Sequence, residues 1–473
     1  MKKIIFIVFV ISAVLMGCED YLVEQPRLSQ SSEITLSTYN GLDNVVAGAY
    51  SPLADGTWYG AYYVLNAEMR AGNATIPSNT DFTSGRMTLA RDLTYSSNAT
   101  SGLWGYAYYV ISAVNNVMHN LEGKDVDDVT AQDLNNLKAE SLFLRALAHF
   151  DMVRLYAPAY IKDKDAPGVP IILKTDETAT EQPARNTVAE VYEQIITDLR
   201  DAESLIDPDY VRSGMADSKS VASLPAIQAL LSRAYLYSEQ WQLAADYATK
   251  VIKNTNYSLW TADEYPDVWG MDVGGNEVIF EVYGATANSY DEYWEGPAYM
   301  TDPEGYADCA AHEDLVDLYD AGDVRGTMFR TDPGDVSGSQ WTTKYPGKGI
   351  ATPDVNNVVV LRLSEMYLNR AEAIVNGASV SGVTAKNDIN AIRAKRDAPA
   401  LTGAVAEELV FNERRLELAF EGHLWFDYAR TNRASSISDR PDQSLAANSY
   451  QWALPIPKRE LDVNENLVQN DGY

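Results

Sequence analysis

Two glutamates and a histidine near the C-terminal end carry the donor types of a metal site. Glu417 and Glu421 stand four residues apart, so on a helix they share one face, and His423 follows closely. A metal needs three or four convergent ligands. Arg414 and Arg415 lie within a turn of Glu417 and two turns before Glu421, where pairing along the helix is expected to neutralise the carboxylates, and Gly422 separates His423 from that face. The pattern predicts a structural ion-pair knot between helices, with no metal. Cys309, in Asp308-Cys309-Ala310-Ala311-His312, matches no nucleophile signature and is expected to be buried and inert. Glycoside hydrolysis needs two carboxyl groups about 5–9.5 Å apart. With 67 acidic residues some pair meets that distance by accident, so abundance carries no weight. No nucleophile elbow, phosphate loop or zinc-binding helix motif is present. The expectation is a protein without catalytic residues or cofactor, with a glycoside hydrolase as the weaker alternative.

Binding chemistry is better represented. Sugar rings offer apolar C–H faces that stack on Trp and Tyr, while Asn, Asp and Arg take the hydroxyls. Residues 255–345 hold Trp260, Trp269, Tyr283, Tyr290, Tyr293, Trp294, Tyr299, Tyr306 and Trp341 among loop-forming residues. Residues 52–103 add Trp58, Tyr59, Tyr62, Asn79 and Arg86. Most aromatics of a large domain simply fill its core, and Tyr283, alternating with Val282 and Phe280, reads that way. Tyr290, Tyr293 and Trp294 sit among Asn288, Ser289, Asp291 and Glu292, where burial of every ring is improbable. These three, with Trp269 and Tyr299, are the aromatic ligand-binding candidates.

The elements that must position them are mostly helical. Ala139, Leu142, Phe143, Ala146, Leu147, Phe150 and Val153 recur at steps of three and four and predict one apolar face of a long helix. Thr187 and Glu190 form a capping box before a helix with Val191, Tyr192, Ile195, Ile196 and Leu199 inward. Pro225 opens a helix, and Trp241 to Ile252 forms its partner. Ser232, Tyr235, Trp241 and Ala244 stand at the separations of a tetratricopeptide unit, with Glu239 in place of the usual turn glycine. Leu361–Val375, Lys386–Lys395 and Val405–Arg430 read as three further helices. Residues 52–103 and 255–358 break the pattern and read as irregular insertions of the kind that carry function. The fold expected is mainly α: tetratricopeptide-like helix pairs forming a scaffold, with an irregular, loop-rich ligand-binding lobe.

Residues 1–17 read as a signal peptide, with Lys2 and Lys3 before an apolar run from Ile4 to Met16 that is shorter than the roughly 20 residues a membrane span needs. Leu15-Met16-Gly17-Cys18 has the form of a lipobox, with Met16 as a departure from the usual small residue; Cys18 is the expected lipidation site. Residues 18–30 then form a polar tether. With Cys18 acylated, Cys309 has no disulfide partner. The formal charge of −30 repels phosphate backbones, which argues against a nucleic-acid partner. Neutral ligands suit such a surface best, and a polyanionic one would need a local basic pocket.

Several ordered segments resemble the SusD/RagB family, from the lipobox to the last residue. Cys18-Glu19-Asp20-Tyr21-Leu22 with Pro26 is similar to its mature start. Phe150-Asp151-Met152-Val153-Arg154-Leu155-Tyr156 with Gly168-Val169-Pro170 is similar to its first long-helix signature, and Leu363-Ser364-Glu365-Met366-Tyr367-Leu368-Asn369-Arg370-Ala371-Glu372-Ala373 to a later one. Glu413-Arg414-Arg415-Leu416-Glu417-Leu418-Ala419-Phe420-Glu421-Gly422-His423 with Trp425-Phe426-Asp427 is the most specific segment. Leu454-Pro455-Ile456-Pro457 and the end at Gly472-Tyr473 are similar to the family's closing residues. The resemblance implies a SusD-like body over residues 31–473, bound to the cell-surface face of the outer membrane through its lipid. It implies oligosaccharide or polysaccharide as ligand, with peptide in a minority of members, and a SusC-like TonB-dependent transporter as partner. By family position the loop before Trp104 also joins the site, which adds Asn73, Asp81 and Phe82 opposite a platform at Tyr290–Tyr299. The anchor is directly testable: Cys18→Ala should move the protein out of the membrane fraction, and undiminished retention of a cleaved, unacylated form would refute lipidation.

Overall fold

The computed structural model describes residues 35–77, 85–121, 129–175, 181–215, 217–284, 296–334, 338–348, 355–438 and 440–473. The leader, the lipobox and the tether lie outside them. The main helices in chain order are α1 (Tyr39–Ala49), α2 (Tyr62–Ala71), α3 (Ser101–Leu121), α4 (Ala131–Tyr156), α5 (Val188–Leu205), α6 (Leu224–Tyr237), α7 (Trp241–Ile252), α8 (Leu363–Val375), α9 (Ala385–Lys395), α10 (Glu407–Glu417) and α11 (Leu424–Arg430). From α3 to α9 each helix packs on the next in sequence, the stacking order of a helical-repeat array. Between α7 and α8 the chain leaves this array and builds the irregular lobe.

The expected capping box at Thr187 is formed, with Glu190 N–H donating to Thr187 Oγ1 at 3.2 Å and Thr187 N–H donating to Glu190 Oε2 at 2.9 Å. In the α6–α7 pair the small Ser232 lets the helices approach, and its hydroxyl donates to the Ala244 carbonyl at 3.0 Å. Glu239 closes the turn in the left-handed region (φ +58°), with Gln240 N–H bonded to Tyr235 O and Glu239 N–H to Leu236 O. That is the helix-terminating geometry glycine usually supplies.

Three expectations need correcting. First, α4 is no amphipathic helix with one apolar face: every residue from Ala139 to Arg154 is buried. Its polar positions are tolerated because each is bonded. Asp151 accepts from Trp58 Nε1 (2.8 Å), Tyr59 Oη (2.7 Å) and Tyr63 Oη (2.8 Å). Glu140 accepts from Tyr50 Oη and Arg212, and Arg145 grips Asp198 in bidentate fashion. Second, residues 52–103 contain a buried helix, α2, whose Val64, Leu65, Ala67, Met69 and Ala71 are inside. Third, Val405–Arg430 is two helices, broken where Phe420 (φ +63°) and Gly422 (φ +79°) turn the chain. A Cβ on Gly422 would come within 3.0 Å of the Val64 backbone, so the close approach of α2 also requires glycine there.

Short strands tie the irregular regions together. β1 (Ala74–Thr75) follows α2, β2 is Val278–Val282, β3 Ala310–Ala311, β4 Phe329–Thr331, β5 Gln340–Thr342 and β6 Val358–Arg362. One sheet runs β1-β3-β5-β4, with Ala74 opposite Ala311, so the two irregular segments share a ladder. β2 pairs antiparallel with β6, which leads directly into α8.

A buried ion-pair knot joins lobe to scaffold. Glu417 Oε1 lies 2.6 Å from Arg362 Nη1 and 2.7 Å from Arg396 Nη2, and its Oε2 is 3.1 Å from Arg325 Nη1. Glu277, just before β2, contacts Arg362 (2.7 Å) and Arg396 (3.0 Å), and Glu421 contacts Arg362 (2.6 Å) and Lys344 (2.6 Å). Glu413 binds Arg325 (2.7 Å) and Arg393 (2.8 Å). Burial would raise the Glu417 carboxyl, yet Arg396, Arg362 and Arg325 together hold it well below the usual carboxylate range. Removing one member strands the opposite charges away from water. Glu417→Gln is therefore expected to destabilise the fold by about 3–5 kcal/mol, read from the urea midpoint, and a change under about 1 kcal/mol would show the knot to be dispensable.

Candidate functional site

Where α2, the segment after it and α11 converge, a cavity of about 250 Å³ opens. Pockets for drug-sized ligands run to roughly 300–1,000 Å³, so this one suits a single ring or a chain end. Tyr62, Asn66 and Arg70, spaced by four on α2, form the stripe that lines it. Tyr95 and Thr100 come from the following segment, Tyr156 from the end of α4, and Trp425 and Phe426 from α11. Arg86 also lines the cavity, with its guanidinium 3.7 Å from the Tyr306 ring centroid and Nη1 3.2 Å from Asp308 Oδ2.

The chemistry is aromatic walls with under-satisfied polar groups. Arg70 stacks on Trp425 at 3.5 Å and lies 5.3 Å from the Tyr95 centroid. Its Nη2 donates to the Gln451 carbonyl at 2.9 Å. Burial lowers its pKa to about 10 and pushes the Tyr95 hydroxyl up to about 12. Asn66 Oδ1, Arg70 Nε and Trp425 Nε1 are buried with no hydrogen-bond partner among the described residues. Groups of this kind at a cavity wall are what a hydroxyl-rich ligand satisfies.

The sequence candidates fare unevenly. Asp81, Phe82, Tyr290, Tyr293 and Trp294 lie outside the described residues. Asn73 is fully buried, its Nδ2 donating to Glu68 Oε2 at 2.7 Å and its Oδ1 accepting from Arg415 Nε at 2.8 Å. With both ends of the amide engaged it is a strut behind the site, not a ligand contact. Trp269 packs into a small buried cluster with Trp260, Tyr265, Val278 and Met328, because the lobe needs a core of its own. It lies apart from the cavity; a more open acidic depression of about 400 Å³ nearby is rimmed instead by Trp260, Asp263, Glu264 and Asp267. Tyr299 stands edge-to-face on Tyr306 (4.6 Å between centroids), which in turn carries Arg86, so it backs the cavity through two contacts. Tyr283, expected in the core, is half-exposed, with Lys348 over its ring at 3.7 Å.

Among the residues the sequence reading passed over, Asn66, Arg70, Tyr95 and Trp425 matter most. A signal for Arg70 existed: no acidic residue stands three or four positions away on its helix, so no local ion pair accounts for it. Glu417 and Glu421, the metal candidates, spend their oxygens on Arg325, Arg362, Arg396 and Lys344. His423 is buried, and burial followed by Arg233 and Arg414 keeps it neutral. Cys309 is fully buried, which raises its thiol pKa well above the usual range.

One carboxyl pair has the electrostatics of an acid catalyst. Burial first, then Asp217, pushes Glu281 up to about 8, while its Oε1 accepts from Gly274 N–H (2.6 Å) and Asn357 Nδ2 (3.0 Å). Both acids are almost completely buried and neither lines the cavity, so the pair is structural. A folded-state pKa above the unfolded 4.5 means the native state holds a proton the unfolded chain has lost. The pair's contribution is complete below about pH 4.5, declines as pH rises and is gone above about 8. Urea midpoints across that window should fall more steeply for wild type than for Glu281→Gln; equal slopes would refute the shared proton.

Comparison with known proteins accounts for this architecture. A family model described as "Starch-binding associating with outer membrane" matches residues 20–236, and the SusD family model matches residues 338–473. SusD-like protein P2 of Formosa agariphila is 26% identical over 530 residues, covering 100% of this chain and 99% of that one. Starch-binding protein SusD of Bacteroides thetaiotaomicron is 23% identical, covering 80% of this chain and 79% of its own. A SusD superfamily crystal structure from Bacteroides thetaiotaomicron superposes with a TM-score of 0.81 at 29% identity, over 92% of this chain and 99% of that one. The repeat-like helical array, the lobe inserted between α7 and α8 and these full-length matches lead to one conclusion: the chain belongs to the SusD/RagB family.

Proposed function

We propose that the protein is a lipid-anchored, cell-surface receptor that captures oligosaccharides and passes them, uncleaved, to a SusC-like TonB-dependent transporter in the outer membrane. The observation that carries the reading is the cavity with tyrosine and tryptophan walls and unpartnered polar atoms, set beside the ladder that joins the two irregular segments. The family model's own description, starch binding with outer-membrane association, points the same way. Anchoring rests on Cys18 in its lipobox, and surface exposure on the acidic Glu19-Asp20 that follows. Residues 1–17 act as the leader, 18–30 as the tether and 31–473 as the binding body. Transporter delivery rests on membership of the family. Tyr290, Tyr293, Trp294, Asp81 and Phe82 are proposed as further ligand contacts on their residue types and sequence context.

Calorimetry of the purified full-length chain against a glycan panel tests this. At least one oligosaccharide should bind and be recovered intact after long incubation. Tyr95→Ala and Trp294→Ala should each weaken that binding roughly five- to thirty-fold, since stacking on one ring contributes on the order of 1–2 kcal/mol. The thermal midpoint should barely move for Trp294→Ala, whereas Tyr95→Ala, whose ring packs against the core and Arg70, should lower it as well. Binding of peptides with none to any glycan would overturn the reading, as would ligand shortening abolished by a single carboxylate substitution.

A further inference from the structure

In a chain with 67 acidic and 37 basic residues, the cavity at α2 has an inverted charge. Its charged lining residues among the described ones are Arg70 and Arg86, and no carboxylate joins them. Arg86 has Asp308. Among the described residues no carboxylate pairs with Arg70, although it is only 3% exposed. Elsewhere in the interior the rule is the opposite: Arg145, Arg233, Arg362, Arg370, Arg396 and Arg430 each contact a carboxylate within 3.0 Å. A desolvated guanidinium is costly without an anion, and ring faces satisfy its planes but not the hydrogen-bonding edge. At Arg70 that edge makes a single protein hydrogen bond, and Nε has no acceptor.

We infer that the cavity takes an acidic sugar, a hexuronate residue whose carboxylate is the missing counter-ion of Arg70. This rests on the glycan-binding reading and names the ligand class for it. Asn66, one turn before Arg70 on the same stripe, lines the cavity and its Oδ1 has no hydrogen-bond partner among the described residues, while Tyr62 and Tyr95 supply walls for the apolar ring face. The volume, about 250 Å³, admits one such ring. The overall charge of −30 argues for neutral ligands, but it acts from surface groups screened over about 8 Å at physiological salt. Within the cavity the nearest fixed charge is Arg70, and the local field decides.

The test compares sugars that differ only at C6: glucuronate, galacturonate and mannuronate against glucose, galactose and mannose, titrated into the purified full-length chain at 0.15 M salt. At least one uronate should bind on the order of ten-fold or more tightly than its hexose. That preference should shrink to about two-fold in Arg70→Gln, and Asn66→Leu should weaken uronate binding while leaving the Arg70 stack intact. Should Arg70→Gln fail to fold, the wild-type pairwise comparison and Asn66→Leu still decide. Equal or better binding of the hexose overturns the inference and leaves the glycan reading standing. Absence of binding by all three uronates overturns it too, with the oligosaccharide panel deciding the broader reading separately. Triglycine binding through Arg70 in preference to every sugar overturns both.

Discussion

The rest of the structure hangs on the buried charge knot around Glu417. Glu277, Glu413, Glu417, Glu421 and Asp323 meet Arg325, Arg362, Arg393, Arg396 and Lys344, all with side chains at most 7% exposed. These residues come from the turn before β2, from β6, α9 and α10, from the turns after α9 and α10, and from the lobe segments around Asp323 and Lys344. No two of those elements can shift relative to each other without separating a pair in a medium where separation is expensive. A hydrophobic seam of the same size would tolerate sliding. The knot fixes register, which matters for a lobe with only a small apolar core of its own, centred on Trp260, Tyr265 and Trp269.

The knot also reaches the cavity. Just beyond Glu417 the chain turns through Phe420 and Gly422, both at positive φ, and Gly422 N–H donates to Glu68 Oε1 at 2.8 Å. Glu68 lies on α2, two residues from each of the lining residues Asn66 and Arg70, and its second oxygen accepts from Asn73. Arg415, on α10, bonds Asn73 from the other side. The helix that carries the binding stripe is thus clamped by hydrogen bonds leading back to the ion-pair centre. From the same turn, α11 delivers Trp425 to stack on Arg70. A binding group that must be held without its natural counter-ion needs such rigid support.

The chain's large negative charge is a property of its exterior. Inside, many acids and bases are matched contact by contact, as in Arg370–Asp388 (2.5 Å) and Arg233–Glu365 (2.6 Å). A cavity with a positive lining can therefore sit in a protein of net charge −30. Net charge bears on encounter and solubility, while specificity is set by the few groups lining the site.

Local pattern determined much of this protein. The capping box at Thr187, the tetratricopeptide-like pair around Ser232 and Ala244 and the ordered family segments were all legible, because each depends on residues a few positions apart or on motifs in series. An ion-pair knot at Glu417 was legible too, but its partners are Arg325, Arg362 and Arg396 from distant segments, where the local pattern pointed to Arg414 and Arg415. Other features depend on contacts far apart in the chain. The apolar periodicity of α4 suggested one buried face, and tertiary packing buried all of them, since Asp151 and Glu140 found partners up to 93 residues away. Asn73 and Trp269 had the right types for ligand contacts, yet folding gave Asn73 to Glu68 and Arg415 and Trp269 to a small core. The cavity itself brings α2 and Tyr95 to α11, an element separated from them by most of the chain. Sequence specifies which groups are available; only the folded structure decides which of them are satisfied by the protein and which, like Arg70, are left for a ligand.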